Sequence, residues 1–180
     1  IRGVWFTSND MDVLRDRERM RAALRQLAAL QVNTIYPVVW NGGIAYYPSS
    51  VSQRLGLQTF NYRGLQAQAL LREFILEIAS HYDADGIQFD DHMSLPSDFG
   101  YDAHTVARYR QSSAGKEPPG DSADPAWLRW RADGISAFMA DLHARLQRQR
   151  PGFLVSISPN YHDFAYKKQL QDWLGWVRMG

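Results

Sequence analysis

The stretch Asp85-Gly86-Ile87-Gln88-Phe89-Asp90-Asp91-His92 decides how this chain folds. Side chains alternate along a strand, so Ile87 and Phe89 share one face while Gln88 and Asp90 share the other. The segment Phe153 to Ser158 repeats the arrangement: Val155 and Ile157 oppose Ser156, Ser158 and the following Asn160. At the start of the chain, Val4 and Phe6 oppose Trp5 and Thr7. A doubly wound sheet carries helices on both faces and needs strands that are apolar on both. Strands with one aliphatic face and one polar or amphipathic face suit a barrel, whose outside packs on helices and whose inward residues near the strand ends line a site. The expected class is therefore α/β, a (β/α) barrel of TIM type.

Helical periodicity separates the strands. Arg17 to Gln31 puts Met20, Leu24, Leu27 and Leu30 on one stripe, and Leu70 to Tyr82 does so with Leu71, Phe74, Ile75, Ile78 and Tyr82. Val32 to Trp40, rich in β-branched and aromatic residues, reads as the second strand and ends in the turn residues Asn41-Gly42-Gly43. Tyr46 to Gln68 shows no clear periodicity. In the long segment 94–124, Lys116-Glu117-Pro118-Pro119-Gly120 forbids regular structure, and Tyr101 to Tyr109 predicts a short helix. Asp124-Pro125 supplies an N-cap and a proline at the first helical position. The helix they open runs to about Gln149, buries Leu128, Ile135, Phe138, Leu142 and Leu146, and stops at Pro151-Gly152. Gln169 to Val177 starts another helix.

Strands alternating with helices of this size make βα units around a parallel sheet. Four strands are legible, or five if a short one sits in the irregular region, whereas a complete barrel takes about 250 residues. Residues 1–180 are thus expected to form a single, incomplete barrel domain of about four to five of the eight βα units.

Composition narrows the function. The chain is 45% hydrophobic and 22% charged, with 20 basic against 19 acidic residues and a net charge of +1. Charges so balanced and scattered give no footing for nucleic acid or an anionic membrane surface. No stretch is long and apolar enough to span a bilayer, and no signal peptide is visible in these residues. A start inside a strand without methionine is what a removed leader, or numbering from within a protein, would leave. Without cysteine there are no disulfides and no thiolate zinc site. There is no Gly-x-Ser-x-Gly elbow and no phosphate loop, and no cofactor is expected. The 6 Trp, 9 Tyr and 8 Phe can stack on sugar rings, although filling a core is their commoner use.

In a (β/α) barrel the chemistry sits at the C-terminal ends of the strands. Asp90, Asp91 and His92 occupy such a position, as do Trp40, Asn41 and Asn160. Glycoside hydrolysis uses two carboxyl groups, one giving a proton and one acting as base or nucleophile. Asp90 is expected to face the barrel mouth, with Asp91 swinging inward as the loop begins. The plainer alternative has Asp91 capping the next turn and Asp90 paired with an arginine. Asp90, Asp91 and His92 also carry oxygen and imidazole donors suited to a divalent ion. No metal is expected, because His81, His104, His143 and His162 look isolated. Glu18, Glu73, Glu77 and Glu117 all fall on helices or a loop, so any acid at a strand end is an aspartate.

Several stretches resemble the family 10-like glycosyl hydrolases, a bacterial group with a glycosidase-like barrel. They are Arg2-Gly-Val-Trp-Phe-Thr7, Asn33-Thr-Ile-Tyr-Pro-Val-Val-Trp-Asn41, Tyr46-Tyr-Pro-Ser49 and Tyr82-Asp-Ala-Asp-Gly-Ile-Gln-Phe-Asp-Asp-His92. Trp127-Leu-Arg-Trp-Arg-Ala-Asp133, Val155-Ser-Ile-Ser-Pro-Asn160 and Leu170-Gln-Asp-Trp173 continue the series. The resemblance covers residues 1 to about 57 and about 70 to 180, in family order. It implies a (β/α)8 barrel that hydrolyses O-glycosyl bonds of polysaccharide. It also implies export to the periplasm, cell envelope or medium, and some members act on peptidoglycan glycan strands stripped of their peptides. Carried over by position, Asp90 and Asp91 match the acidic strand-end motif. Arg2, Trp5, Tyr36, Trp40, Asn41, His92 and Asn160 form the expected substrate-binding set.

Between Tyr47 and Leu70 the family has a further strand, helix and long loop that are almost wholly absent here, and Gln58 to Gln68 matches none of it. The family's last strands are missing too. An open part-barrel leaves strand edges unpaired, so self-association through them is expected. Three functions compete. The first is hydrolysis of a cell-wall or related amino-sugar polysaccharide by Asp90 and Asp91, where a substrate N-acetyl carbonyl could serve as nucleophile. The second is a non-catalytic glycan-binding remnant with Trp5, Tyr36, Trp40 and Tyr46 as platforms. The third is a metal-dependent polysaccharide deacetylase-like enzyme using Asp90, Asp91 and His92.

Overall fold

The structure, a computed structural model, describes residues 1–41, 44–54 and 67–180, with backbone alone at Ile44, Ala67 and Leu70. It consists of two compact units, Ile1–Phe74 and Ile75–Gly180.

In the first unit, β1 (Gly3–Phe6) and β2 (Thr34–Pro37) pair in parallel, with Trp5 opposite Tyr36. Parallel neighbours need a crossover, here formed by α1 (Met11–Leu14) and α2 (Arg17–Ala29). A single 3-10 turn at Ser8–Asp10 opens it through a capping box: Thr7 Oγ1 accepts from Asn9 N at 3.2 Å, and the Asp10 carboxylate accepts from Thr7 N at 2.7 Å. Asp16 caps α2 by accepting from Arg19 N at 3.0 Å and Glu18 N at 2.9 Å. The bond from Arg19 is the main reason its carboxyl is held below the ordinary range.

The second strand is shorter than expected and splits. β3 (Trp40–Asn41) leaves β2 to pair antiparallel with β4 (Ile44–Ala45), and Gly42 and Gly43 lie outside the described residues. A short helix, α3 (Ser50–Arg54), corrects the irregular reading of Tyr46 to Gln68, of which 55–66 lie outside the described residues. Phe6 is buried and Val4 half-buried, while Trp5 and Thr7 are exposed, as the alternation required. The α2 stripe does not follow its pattern: Met20 and Leu27 are half-buried, Leu24 is exposed, and Leu30 is 70% exposed. A helix stripe is buried only where a second layer covers it. The small apolar cluster of this unit instead joins Val51 of α3 to Phe74 of α4 (Ala67–His81), with Ala45 and Tyr47 against it.

In the second unit, β5 (Gly86–Phe89) and β6 (Leu154–Ile157) pair in parallel from Gly86 with Leu154 to Phe89 with Ile157. Only glycine fits the first of these positions, since a Cβ on Gly86 would stand 2.4 Å from the Leu154 carbonyl oxygen. All four β5 residues are half-buried, so burial does not sort its two faces. The crossover contains α5 (Ala103–Ser112) and α6 (Pro125–Gln149). Asp124 Oδ1 caps α6 by accepting from Ala126 N and Trp127 N, both at 2.9 Å. Its buried face carries Leu128, Ile135, Phe138, Leu142 and Leu146 as spaced in the sequence, joined by Trp127, Ala132 and Met139. The later turns of α4 bury Ile75, Ile78 and Ala79, and Gln149 Nε2 donates to Leu76 O at 3.0 Å. Tyr82, expected on the α4 stripe, lies past its end and is exposed.

The loop between β5 and α6 is anchored by one buried side chain. Arg131 donates from Nη1 to Ser97 O at 2.5 Å and Phe99 O at 2.7 Å, and from Nη2 to Ser122 O at 2.6 Å. Its Nε donates to Trp127 O at 3.2 Å, and the guanidinium lies 4.6 Å from the Trp127 ring. Burial pushes its pKa down. The helix expected from Gln169 to Val177 starts later, as α8 (Trp173–Met179), and is preceded by a helix that was not expected, α7 (His162–Gln169). Leu170, at φ 55°, breaks the helical run, and Asp172 caps α8 by accepting from Gly175 N at 3.2 Å.

Among the described residues the strands form three two-stranded sheets and no closed barrel. No helix there is long and apolar enough to cross a membrane.

Candidate functional site

The chain turns sharply where β5 ends. Met93 N donates to Asp90 O at 3.2 Å, and Asp90 Oδ1 accepts from His92 N at 2.9 Å. Aspartate is suited to this, because its short carboxylate reaches the backbone two residues on. The turn gathers three side chains. His92 Nδ1 lies 3.3 Å from Asp90 Oδ2 and 3.2 Å from Asp91 Oδ1. One donor atom from each of the three lies within 4.8 Å of the others. Their side chains are 66%, 39% and 87% exposed for Asp90, Asp91 and His92. Capping does occur here, but Asp90 performs it, and its side-chain neighbour is His92 rather than an arginine.

Asn160 reaches this turn from beyond the end of β6. Its Nδ2 donates to Asp91 Oδ2 at 3.0 Å and to Gln169 Oε1 at 3.1 Å. Both amide hydrogens are thereby used, which leaves Oδ1 for a ligand. The Asn160 carbonyl accepts from Trp173 Nε1 at 3.1 Å. Gln171, fully buried, approaches the backbone of the same turn, its Nε2 3.4 Å from Asp90 O and 3.3 Å from Met93 O.

A charged group braces this corner. Asp172, with a side chain 13% exposed, accepts from Arg129 Nη1 at 2.8 Å and lies 3.3 Å from His162 Nε2. Burial opposes its ionisation, but the bonds from Arg129, His162 and Gly175 N together hold its carboxyl below the ordinary range. Arg129 is held more basic than usual, chiefly by Asp133. His162, which looked isolated in sequence, is therefore paired with Asp172, stacked on Tyr166 and set edge-on to Trp173.

The other expected contact residues belong to the first unit. Trp5, exposed, and Tyr36, half-buried, are neighbours across β1 and β2, with ring centroids 6.5 Å apart at 72°. Arg2 is exposed, and its backbone N donates to Asn33 Oδ1 at 3.0 Å. Asn41 Nδ2 donates to Ser8 Oγ at 3.1 Å, and Trp40 is half-buried. The sequence reading missed Gln169, Gln171 and the exposed Tyr161 beside Asn160. Gln171 lay inside the quoted stretch Leu170-Gln-Asp-Trp173, but nothing local marked Gln169.

Two carboxylates and an imidazole on a solvent-accessible turn can exchange protons with a bound sugar, and Asp90, Asp91 and His92 are also the residues that could hold a divalent ion. The model of the family described as glycosyl hydrolase-like 10 matches residues 1–78 and, as a second stretch, 64–180. A match in two stretches is what internal shortening of a member would produce. No curated protein matches the chain.

Proposed function

Because the chain belongs to the glycosyl hydrolase-like 10 family, we propose that it is a glycoside hydrolase of a bacterial cell-wall or related amino-sugar polysaccharide, with Asp90 and Asp91 as its acidic pair. One observation carries this reading: adjacent carboxylates at the C-terminal end of a parallel strand, one of them held by an amide from beyond the neighbouring strand. Strand ends of this kind hold the chemistry of (β/α) barrels. The proposed architecture is accordingly an incomplete TIM-type barrel forming one domain over residues 1–180.

Asp91 works as the carboxylate, since its Oδ2 accepts from Asn160. Asp90, the more exposed of the two, exchanges a proton with the glycosidic oxygen. Inverting pairs stand about 6.5–9.5 Å apart to admit a water, and oxygens within 4.8 Å leave no such room. The spacing therefore favours retention. On an N-acetylated sugar the substrate's own carbonyl closes on the anomeric carbon as the glycosidic C–O bond breaks and Asp90 gives its proton to the leaving oxygen, while Asp91 accepts the amide N–H. Water then attacks the anomeric carbon, reopens the ring and returns a proton to Asp90. Peptide-free peptidoglycan glycan strands have this chemistry. His92 and the side-chain Oδ1 of Asn160, left to accept from a sugar hydroxyl, are proposed glycan contacts in the second unit, and Arg2, Trp5, Tyr36, Trp40 and Asn41 are proposed glycan contacts in the first. Export to the cell envelope or medium, and self-association through strand edges, belong to the same proposal.

Asp90→Asn is expected to cut release of soluble sugar from peptide-free glycan strands by at least about 100-fold with the thermal melt unchanged. Unaltered turnover would sink the assignment. Oligosaccharide binding without turnover, insensitive to Asp90→Asn, would mark a non-catalytic remnant instead.

The convergence of Asp90, Asp91 and His92 favours a second reading, a metal-dependent deacetylase-like activity. It requires acetate release that stops on exhaustive chelation and returns with a divalent ion. Turnover that survives chelation eliminates it.

A further inference from the structure

A carboxylate only accepts hydrogen bonds, so Asn160 serves Asp91 only while its NH2 group faces the acid. A primary amide can turn over and present oxygen instead. What selects the orientation is the second partner: Gln169 Oε1 takes the remaining N–H of Asn160 at 3.1 Å. A flipped Asn160 would set its oxygen against Asp91 Oδ2 and abandon both bonds. Gln169 is itself well placed to be a fixed reference. Its backbone oxygen accepts from Leu95 N at 3.1 Å, and Lys168 O accepts from Ser97 N at 2.9 Å, so the end of α7 is tied to the chain just past the acidic turn. After left-handed Leu170, Gln171 reaches the backbone of that turn from the other side of the corner. The corner thus grips the turn twice, once at the Asp91 side chain through Asn160 and once at its backbone.

We infer that Gln169 is a positioning residue for Asp91, acting through Asn160, an inference that rests on the glycosidase reading of the acidic pair. It touches no reacting atom. It keeps the Asn160 amide facing Asp91, and a carboxylate displaced by about 1 Å costs an enzyme on the order of 100-fold in rate.

The experiment uses the full chain with peptide-free glycan strands and three variants: Gln169→Met, Asn160→Leu and the pair combined. Gln169→Met should lower kcat about tenfold with KM within about twofold of wild type. Asn160→Leu should lower kcat further, and the double variant should be no slower than Asn160→Leu alone, because Gln169 then has nothing left to orient. Losses that multiply, a kcat unchanged by Gln169→Met, or a risen KM with kcat intact would each overturn the inference. Should Gln169→Met unfold, Gln169→Ala removes the same acceptor and favours the helix.

A second readout needs no turnover. In the ¹⁵N–¹H spectrum of the chain, one of the two Asn160 side-chain amide protons should move upfield in Gln169→Met. If wild type cleaves no glycan, the glycosidase reading fails while this signal still judges the contact; an unmoved resonance overturns it.

Discussion

The two units are assembled from like parts and hold them differently. Each pairs two strands in parallel and joins them by a helical crossover. In the first, α2 has a clear apolar stripe and no buried residue. In the second, α6 buries a face running from Trp127 to Leu146. Phe6, Val51 and Phe74 are the buried apolar residues described in the first unit, against a continuous set from α4, α6, α7 and α8 in the second. Periodicity thus states which face of a helix can be buried, and a covering layer decides whether it is. The folding free energy of the described chain should accordingly reside mostly in residues 75–180.

Four substitutions test that contrast, in falling order of effect. Leu142→Ala empties a fully buried α6 site and should cost about 3 kcal/mol, read from urea unfolding followed by tryptophan fluorescence. Arg131→Met takes a side-chain donor away from four backbone carbonyls and should cost about 2 kcal/mol. Hydrogen exchange at residues 97–122 should speed up with it, whereas unchanged protection would mean the loop is held by something else.

Asp172→Asn should cost about 1 kcal/mol at neutral pH, with a defined pH dependence. The Asp172 carboxyl lies below the ordinary 3.8 in the folded protein. Its contribution is therefore complete above that value and is lost as pH falls through the lower folded one. The gap between wild type and Asp172→Asn should shrink on acidification below about pH 4, and a constant gap would contradict the pairing with Arg129. Leu27→Ala on α2 should cost under about 1 kcal/mol. A loss matching that of Leu142→Ala would show that the first unit buries its stripe after all and would break the contrast.

The strand and helix signals that were legible all act within one turn or a few residues of chain. Asp124-Pro125 opens α6 because a carboxylate beside free N–H groups, followed by a ring with φ already set, needs no distant partner. The alternation at Val4, Trp5 and Phe6 and the place of Asp90-Asp91-His92 at a strand end are equally local. What misled was a pattern judged without its surroundings: the stripe of α2, and the helix expected to start at Gln169, where α7 instead ends and left-handed Leu170 delays α8 to Trp173. A signal for α7 was present in Asp163 and Lys167, an i, i+4 ion pair at 2.7 Å in the order that suits the helix dipole.

By itself the sequence determined the strands β1, β5 and β6, the helices α2, α4 and α6, the cap of α6 at Asp124, its buried face, and the place of Asp90-Asp91-His92 at a strand end. Only the tertiary structure decided that Asn160 serves Asp91, that Gln169 holds Asn160, and that Gln171 faces the backbone of the turn. Asn160 and Asp91 are 69 positions apart, and they meet because the parallel register sets Phe89 beside Ile157 and brings the two strand ends out together. A register is a choice among pairings of backbone groups that are alike at every residue. It is settled by the packing of whole faces, which no local stretch of chain encodes.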